Sequence, residues 1–325
     1  MVANLSSGKL GFGVLVLVTS FWHSPSWGWG KLGHEILAEE GASLSESEFW
    51  RSNALQIANL TNVPDWKWKS GKGAALEKPT HWFEIDTFAQ SIADQRKFPR
   101  SYRVAVQKYG QEAVTTMGQA PWRMKQFYDL AVKAMKDRDF ETAVEMAGIM
   151  SHYIGDLSQP LHVTENYDGQ LTHNSGIHAW FEGQNIKAHL EGLPESTRAS
   201  ASRLLKDKIF VQTFKNGPVE AAFAEVERSL AEKDQVLKND TKYGREGKGA
   251  ELQMALAQKR MADGAATLAM ILDLAWREAG SPDGVTVHAN VPEWIPPEFN
   301  ETQGKELSQS EAVLDYLEQD DCSRE

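Results

Sequence analysis

Helical periodicity runs through most of this chain and strand-like alternation is scarce, which restricts it to an all-α fold. Segments 34–43, 46–60, 101–117, 121–136, 139–157, 178–190, 217–236 and 249–279 read as helices, rich in Ala, Leu, Glu, Lys, Gln and Met. The clearest is 139–157. It follows the turn-like Lys136-Asp137-Arg138-Asp139, stops before Pro160, and carries Ala143, Ala147, Met150 and Ile154 on one stripe, the pattern of a core helix. At 325 residues, 41% of them hydrophobic, the chain can bury a sizeable core without staples. No internal repeat is visible, which argues against a solenoid.

The two ends read differently from the middle. Residues 1–28 carry one charge, Lys9, followed by the apolar stretch Leu10–Trp22, too short to span a membrane and of the kind that makes a secretory signal peptide. Small residues at Ser26 and Gly28 place the cut before Trp29, so export to a bacterial periplasm or to the medium is expected. The domain is expected to cover 29–280. Beyond Gly280-Ser281-Pro282, residues 281–325 hold Pro292, Pro296 and Pro297 and an acidic end, and read as an appended, partly ordered tail with which hydrolysis can dispense.

Charge and cysteine content narrow the chemistry. A net charge of −11 offers no broad positive field for nucleic acid or an anionic membrane. The single cysteine, Cys322, excludes an intramolecular disulfide and a thiolate metal cage, so a zinc site would have to use His and carboxylates. Such residues cluster. His152 and Asp156 form an i, i+4 pair on one helical face, His162 follows just past Gln159-Pro160, and His178 with Glu182 forms a second such pair. Upstream stand Asp65 in Val63-Pro64-Asp65-Trp66, His81 in Pro79-Thr80-His81-Trp82-Phe83, and His34 in Trp29-Gly30-Lys31-Leu32-Gly33-His34. Singly, each has an ordinary structural explanation, as a surface ion pair, a turn residue or a core histidine. Linked in this order, they point to metal.

The ordered set Trp29-Gly-x-x-Gly-His34, Asp65, His81, His152-x3-Asp156-x5-His162 and His178-x3-Glu182 resembles the superfamily that unites bacterial zinc-dependent phospholipase C with the single-strand-specific zinc nucleases of fungi and plants. The resemblance spans about residues 29–190. It implies an all-helical domain with three zinc ions in a cleft. By this similarity Asp65, His81, His152 and Asp156 hold one ion, and His162, His178 and Glu182 a second. The third is held by the free amine and carbonyl oxygen of Trp29, by His34 and by Asp156, whose carboxylate bridges two ions. It further implies that a zinc-activated hydroxide attacks phosphorus, with Asp65 orienting or deprotonating that water. Three zinc ions against three carboxylates would leave a local surplus of positive charge in an otherwise acidic protein, where a phosphate could dock.

The metal set is common to both branches, so the substrate must be read elsewhere. Glu182, where the nucleases tend to have Asp, and the segment His178-Ala-Trp-Phe-Glu182 favour a phospholipid head group; single-stranded DNA or RNA is the alternative. Loop residues Asn166 and Tyr167 are candidates for touching phosphate or for a turn role. Trp66, Trp68 and Trp82 are candidates for stacking or for core. Lys67, Lys69, Lys72 and Lys78 form a modest basic run. His173 fits no ligand position.

Overall fold

A computed structural model describes residues 29–89 and 91–299, and the signal-peptide reading of 1–28 falls outside them, as does the acidic end from 300. Among the described residues there are helices and no strands. The helices that build the core are α1 (Gly30–Ser43), α2 (Ala54–Leu60), α3 (Ala120–Lys136), α4 (Phe140–Ser158), α5 (Leu193–Leu204), α6 (Pro218–Tyr243) and α7 (Lys248–Glu278).

Helix α4 is the central element. Asp139 caps it by accepting a bond from the Thr142 amide, and Pro160 follows its end. Every residue from Gly148 to Ser158 is buried, because α1, α2, α3, α6 and α7 all pack around it. Fully burying Ile149, Met150, Ile154 and Leu157 supplies about 1.5–3 kcal/mol each. That gain offsets the cost of sealing polar side chains, His152 and Asp156 among them, into the same helix. α3 reverses into α4 through Asp137–Asp139, where Arg138 takes a positive φ of 59°. α7 lies against α1, α4, α5 and α6, with most residues from Arg260 to Ala275 buried.

Most of the expected helices are present, with differences that have local causes. The segment 101–117 is two helices, because Gly110 breaks it with φ 88°. The segment 46–60 is likewise split at Asn53. α5 escaped the sequence reading because its polar, Ser-rich face dilutes the periodicity; Gly192 in the left-handed conformation and Pro194 start it. α6 runs seven residues beyond the expected end at 236.

Residues 281–299 are the described part of the segment expected as a partly ordered tail. They form no regular structure, yet lie as a strap along the domain. Val287 N–H donates to Asn53 Oδ1 at 2.9 Å and Asn290 N–H to Glu145 Oε1 at 3.2 Å. Gln126 Nε2 donates to the Pro296 carbonyl at 3.0 Å, and the Phe299 ring sits 4.6 Å from that of Tyr102. A chain so rich in proline cannot pair as helix or strand, so its carbonyls are met by side chains of the domain instead.

Candidate metal centre

Asp156, on the inward face of α4, is the hub. One carboxylate oxygen, Oδ2, lies 3.1 Å from His81 Nδ1 and 3.4 Å from His152 Nε2. The other, Oδ1, lies 3.6 Å from His34 Nε2 and 3.5 Å from His162 Nδ1. Four imidazoles from four parts of the chain thus face one buried carboxyl group. His152 reaches it because i, i+4 residues share a helical face. His162 reaches it from the 3₁₀ turn Pro160–Val163 and is held by its Nδ1, 2.6 Å from the His81 carbonyl.

Two of the acids stand in π-helical turns, Asp65 in Pro64–Trp68 and Glu182 in Trp180–Gln184. Such turns are rare and cluster at functional sites, since the extra residue re-aims the side chains. Glu182 Oε2 meets His178 Nε2 at 3.0 Å and His162 Nε2 at 3.8 Å, and accepts from Gln159 Nε2 at 3.1 Å. Asp65 Oδ1 lies 3.8 Å from His81 Nδ1 and 3.7 Å from His152 Nε2, and is ion-paired with Lys69. It is the one acid of the cluster with appreciable exposure, 23%.

The N-terminal part of the motif closes onto the same place. Trp29 is fully buried, its indole Nε1 donates to Ser158 Oγ at 2.7 Å, and its main-chain nitrogen lies 3.1 Å from His34 Nε2. Gly30 turns with φ 59°, and a Cβ there would come within 3.2 Å of the Glu182 carbonyl. Across the centre, the His34 ring stacks on that of His152 with centroids 4.2 Å apart. The Gly155 backbone presses on the other ring edge: a Cβ there would fall 2.4 Å from His34 Nδ1.

Among the described residues, three groups have ligand atoms mutually within 4.8 Å: His34, His152 and Asp156; Asp65, His81 and His152; and His162, His178 and Glu182. With Trp29 beside His34, all nine positions singled out in the sequence converge. Whether these residues suit a cation can be judged from their own chemistry. Ring nitrogens face each other at 2.9 Å (His152 Nε2 and His81 Nδ1) and 3.1 Å (His178 Nε2 and His162 Nε2). Burial, helped by His162, pushes His34 down to about 3, and burial likewise holds His81 and His152 well below the usual histidine range. Neutral imidazoles can present lone pairs to a cation, and ring nitrogens this close around a carboxylate can share one. Burial, reinforced by Asp65, raises Asp156 well above the carboxylate range, and burial raises Asp65 against the pull of Lys69. Burial would also raise Glu182 and lower His178, but their mutual attraction reverses both shifts. The buried Asp156 Oδ1 and Glu182 Oε1 accept no hydrogen bond. The donor set therefore fits divalent zinc, which takes imidazole nitrogen and carboxylate oxygen.

The other candidates divide. Asn166 braces its own loop, accepting from the Leu171 amide at 2.8 Å and donating to Thr172 Oγ1 at 3.0 Å. The Tyr167 carbonyl faces His178 Nδ1 at 3.0 Å, and its side chain is 41% exposed. Trp68 is core, Trp66 is half exposed beside Asp65, and Trp82 donates to the Thr116 carbonyl at 3.1 Å. The sequence reading missed Glu77. It stands four residues before His81, the same i, i+4 spacing that marked the other pairs, and its Oε1 lies 3.7 Å from His81 Nε2.

No family model matches the chain. A protein described as a probable serine protease from Bradyrhizobium tropiciagri is 33% identical over 82 residues, 20% of this chain and 10% of that protein. Two solved structures are similar at low identity. Alpha toxin from Clostridium absonum gives a TM-score of 0.46 and 14% identity over 74% of this chain and 64% of that chain. The Clostridium perfringens alpha-toxin isolated from avian strain SWCP gives 0.44 and 18% over 74% and 63%. The chain thus spans less than two thirds of the toxins' length and a tenth of the curated relative's.

Proposed function

We propose that this chain is an exported zinc-dependent phosphodiester hydrolase of the phospholipase C and single-strand nuclease superfamily, acting on a phospholipid head group. The observation that carries the reading is the Asp156 carboxylate with both oxygens turned to imidazoles, which joins the three ligand groups into one centre. One zinc would be held by Asp65, His81, His152 and Asp156, a second by His162, His178 and Glu182, and a third by Trp29, His34 and Asp156. Zinc bound there supplies Lewis acidity to phosphoryl oxygens and brings the pKa of water to about 7.

The chain's own residues do the rest. Neutral histidines would leave the charge of bound zinc uncancelled, so an anionic phosphate would be attracted despite the acidic surface. Asp65 is the partly exposed acid at its edge, placed to accept a proton at Oδ from a water attacking phosphorus. Lys69 is ion-paired with that carboxyl and adds a positive charge on the same side. Gln159 and the Tyr167 carbonyl orient Glu182 and His178. Among the described residues no helix is long and apolar enough to cross a membrane.

The nuclease reading has one observation in its favour: the partly exposed Tyr167 ring lies 6.3 Å from that of His178, and Trp66, next to Asp65 in sequence, is half exposed, so bases could stack there. The test is hydrolysis by zinc-loaded protein beginning at Trp29, given phosphatidylcholine and single-stranded DNA or RNA in parallel, with and without chelator. Chelator-sensitive release of diacylglycerol is the expected result. Cleavage of nucleic acid alone would move the chain to the nuclease branch, and no chelator-sensitive hydrolysis of either would remove the reading.

A further inference from the structure

We propose that Glu77 is the positioning residue of His81, and that the strap 281–299 holds Glu77 in place through Trp294 and Arg123. The inference rests on the metal reading above and adds a group that the motif does not contain.

Glu77 is fully buried, and its carboxylate is almost saturated. Oε1 accepts from Tyr153 Oη at 2.5 Å and Thr80 Oγ1 at 3.0 Å, while Oε2 accepts from Arg123 Nη2 at 2.7 Å and Trp294 Nε1 at 3.0 Å. The nearest group left over is His81 Nε2, 3.7 Å from Oε1, itself buried and making no hydrogen bond. His81 turns its other nitrogen, Nδ1, to Asp156 and His152. A histidine that presents Nδ1 to a metal must carry its proton on Nε2, and a carboxylate behind Nε2 fixes both that tautomer and the ring's orientation. A closing movement of about 0.7 Å would make the Nε2–H···Oε1 bond of ordinary length.

A buried ion pair is poor evidence of stability by itself, since desolvation can exceed the attraction. Glu77 and Arg123 are both fully buried and so need a further explanation. The strap supplies half of it. Arg123 Nη2 also donates to the Ile295 carbonyl at 2.6 Å, Nη1 to Gln126 Oε1 at 2.7 Å, and Gln126 in turn to the Pro296 carbonyl. The Trp294 ring lies flat on Gly73, where a Cβ would intrude to 2.2 Å. Trp294 and Ile295 thus lock both partners of the pair from the side away from the metal centre. The other half is His81, whose Nε2 lies 3.7 Å from Oε1 and makes no hydrogen bond of its own.

The experiment compares zinc stoichiometry and affinity, by competition with a chromophoric chelator, in the full chain and in Glu77→Gln, Trp294→Phe and Glu182→Gln. The Co²⁺-substituted d–d spectrum provides a second readout. Glu77→Gln is expected to weaken one zinc by about 10–100-fold and to change the Co²⁺ spectrum, with the His162–His178–Glu182 zinc retained. Trp294→Phe removes the donor to Oε2 along with part of the ring that covers Gly73; it should weaken the same zinc by a smaller factor, which keeps the test open if Glu77→Gln does not fold. Glu182→Gln should affect a different ion. Wild-type zinc affinity and spectrum in both Glu77→Gln and Trp294→Phe, with only unfolding altered, would overturn the proposal and leave Glu77 a structural residue. A wild-type chain that binds no zinc would instead overturn the function proposed above, and this inference with it.

Discussion

Gly155→Ala isolates the geometry of the centre without removing a ligand. Gly155 lies in α4 one residue before Asp156, and an added Cβ would stand 2.4 Å from His34 Nδ1 and 2.6 Å from Cε1. Ordinary contact needs about 1 Å more, so the imidazole must move by about that much or leave its stack on His152. Alanine gains about 1 kcal/mol of helix propensity, and overpacking costs about 1–3 kcal/mol, so the metal-free protein should lose about 0–2 kcal/mol. Metal binding is far less tolerant, because ligand distances hold to about 0.2 Å. An ion at His34 stabilises by about 3–4 kcal/mol when present at 100–1,000 times its dissociation constant, and the variant should forfeit that. Thermal unfolding of metal-free and zinc-loaded protein, with zinc counted per chain, separates the two effects. Equal zinc content and an equal zinc-dependent rise in Tm in wild type and variant would refute both the placement of His34 and its role.

Asp156→Ala should lower zinc content and reduce phosphodiesterase activity by more than about 100-fold, beyond what loss of an orienting contact alone produces; full activity would remove the centre. One extra residue before Trp29 replaces an amine by an amide beside His34, and metal analysis alongside N-terminal sequencing should show one zinc fewer and a lower rate. Away from the centre, burial raises the Asp273 carboxyl to about 6, against bonds from Ser45 Oγ and the Glu46 amide. The folded state therefore binds this proton more tightly than the unfolded one, and stability should fall as pH rises from about 4 to about 6, by up to about 3 kcal/mol. Asp273→Asn keeps an acceptor and removes the proton, so its denaturant midpoint should lose that slope relative to wild type; parallel pH profiles would contradict the assignment.

The candidate ligands were legible because helical spacing is a local rule. His152 with Asp156 and His178 with Glu182 could be paired on one face with no knowledge of the fold, although His178 and Glu182 are separated by the junction of a short α-helix with a π turn. The π turns at Asp65 and Glu182 were not legible, since one inserted residue leaves no periodicity of its own. Glu77 was readable by the same i, i+4 rule as its neighbours and was passed over. It sits among Lys72, Lys78 and small residues, which look like a solvated loop, and only the fold shows that Arg123 and Trp294, 46 and 217 residues away in sequence, bury it.

The helices followed the same division between local and distant causes. α4 and α7 announce themselves because they are apolar on most faces, whereas α5 covers the core with only Leu193, Thr197 and Ala201 fully buried and so carries too few apolar residues to show a period. The strap is the limiting case. Its prolines exclude regular structure and its sequence looks like tail, yet its hydrogen bonds go to side chains already held by the domain, Asn53, Glu77, Arg123, Gln126 and Glu145 among them. A segment whose conformation is set by its partners can be recognised only after those partners are in place. This one covers the pair behind His81, so the part of the chain least readable from sequence bears directly on a candidate ligand.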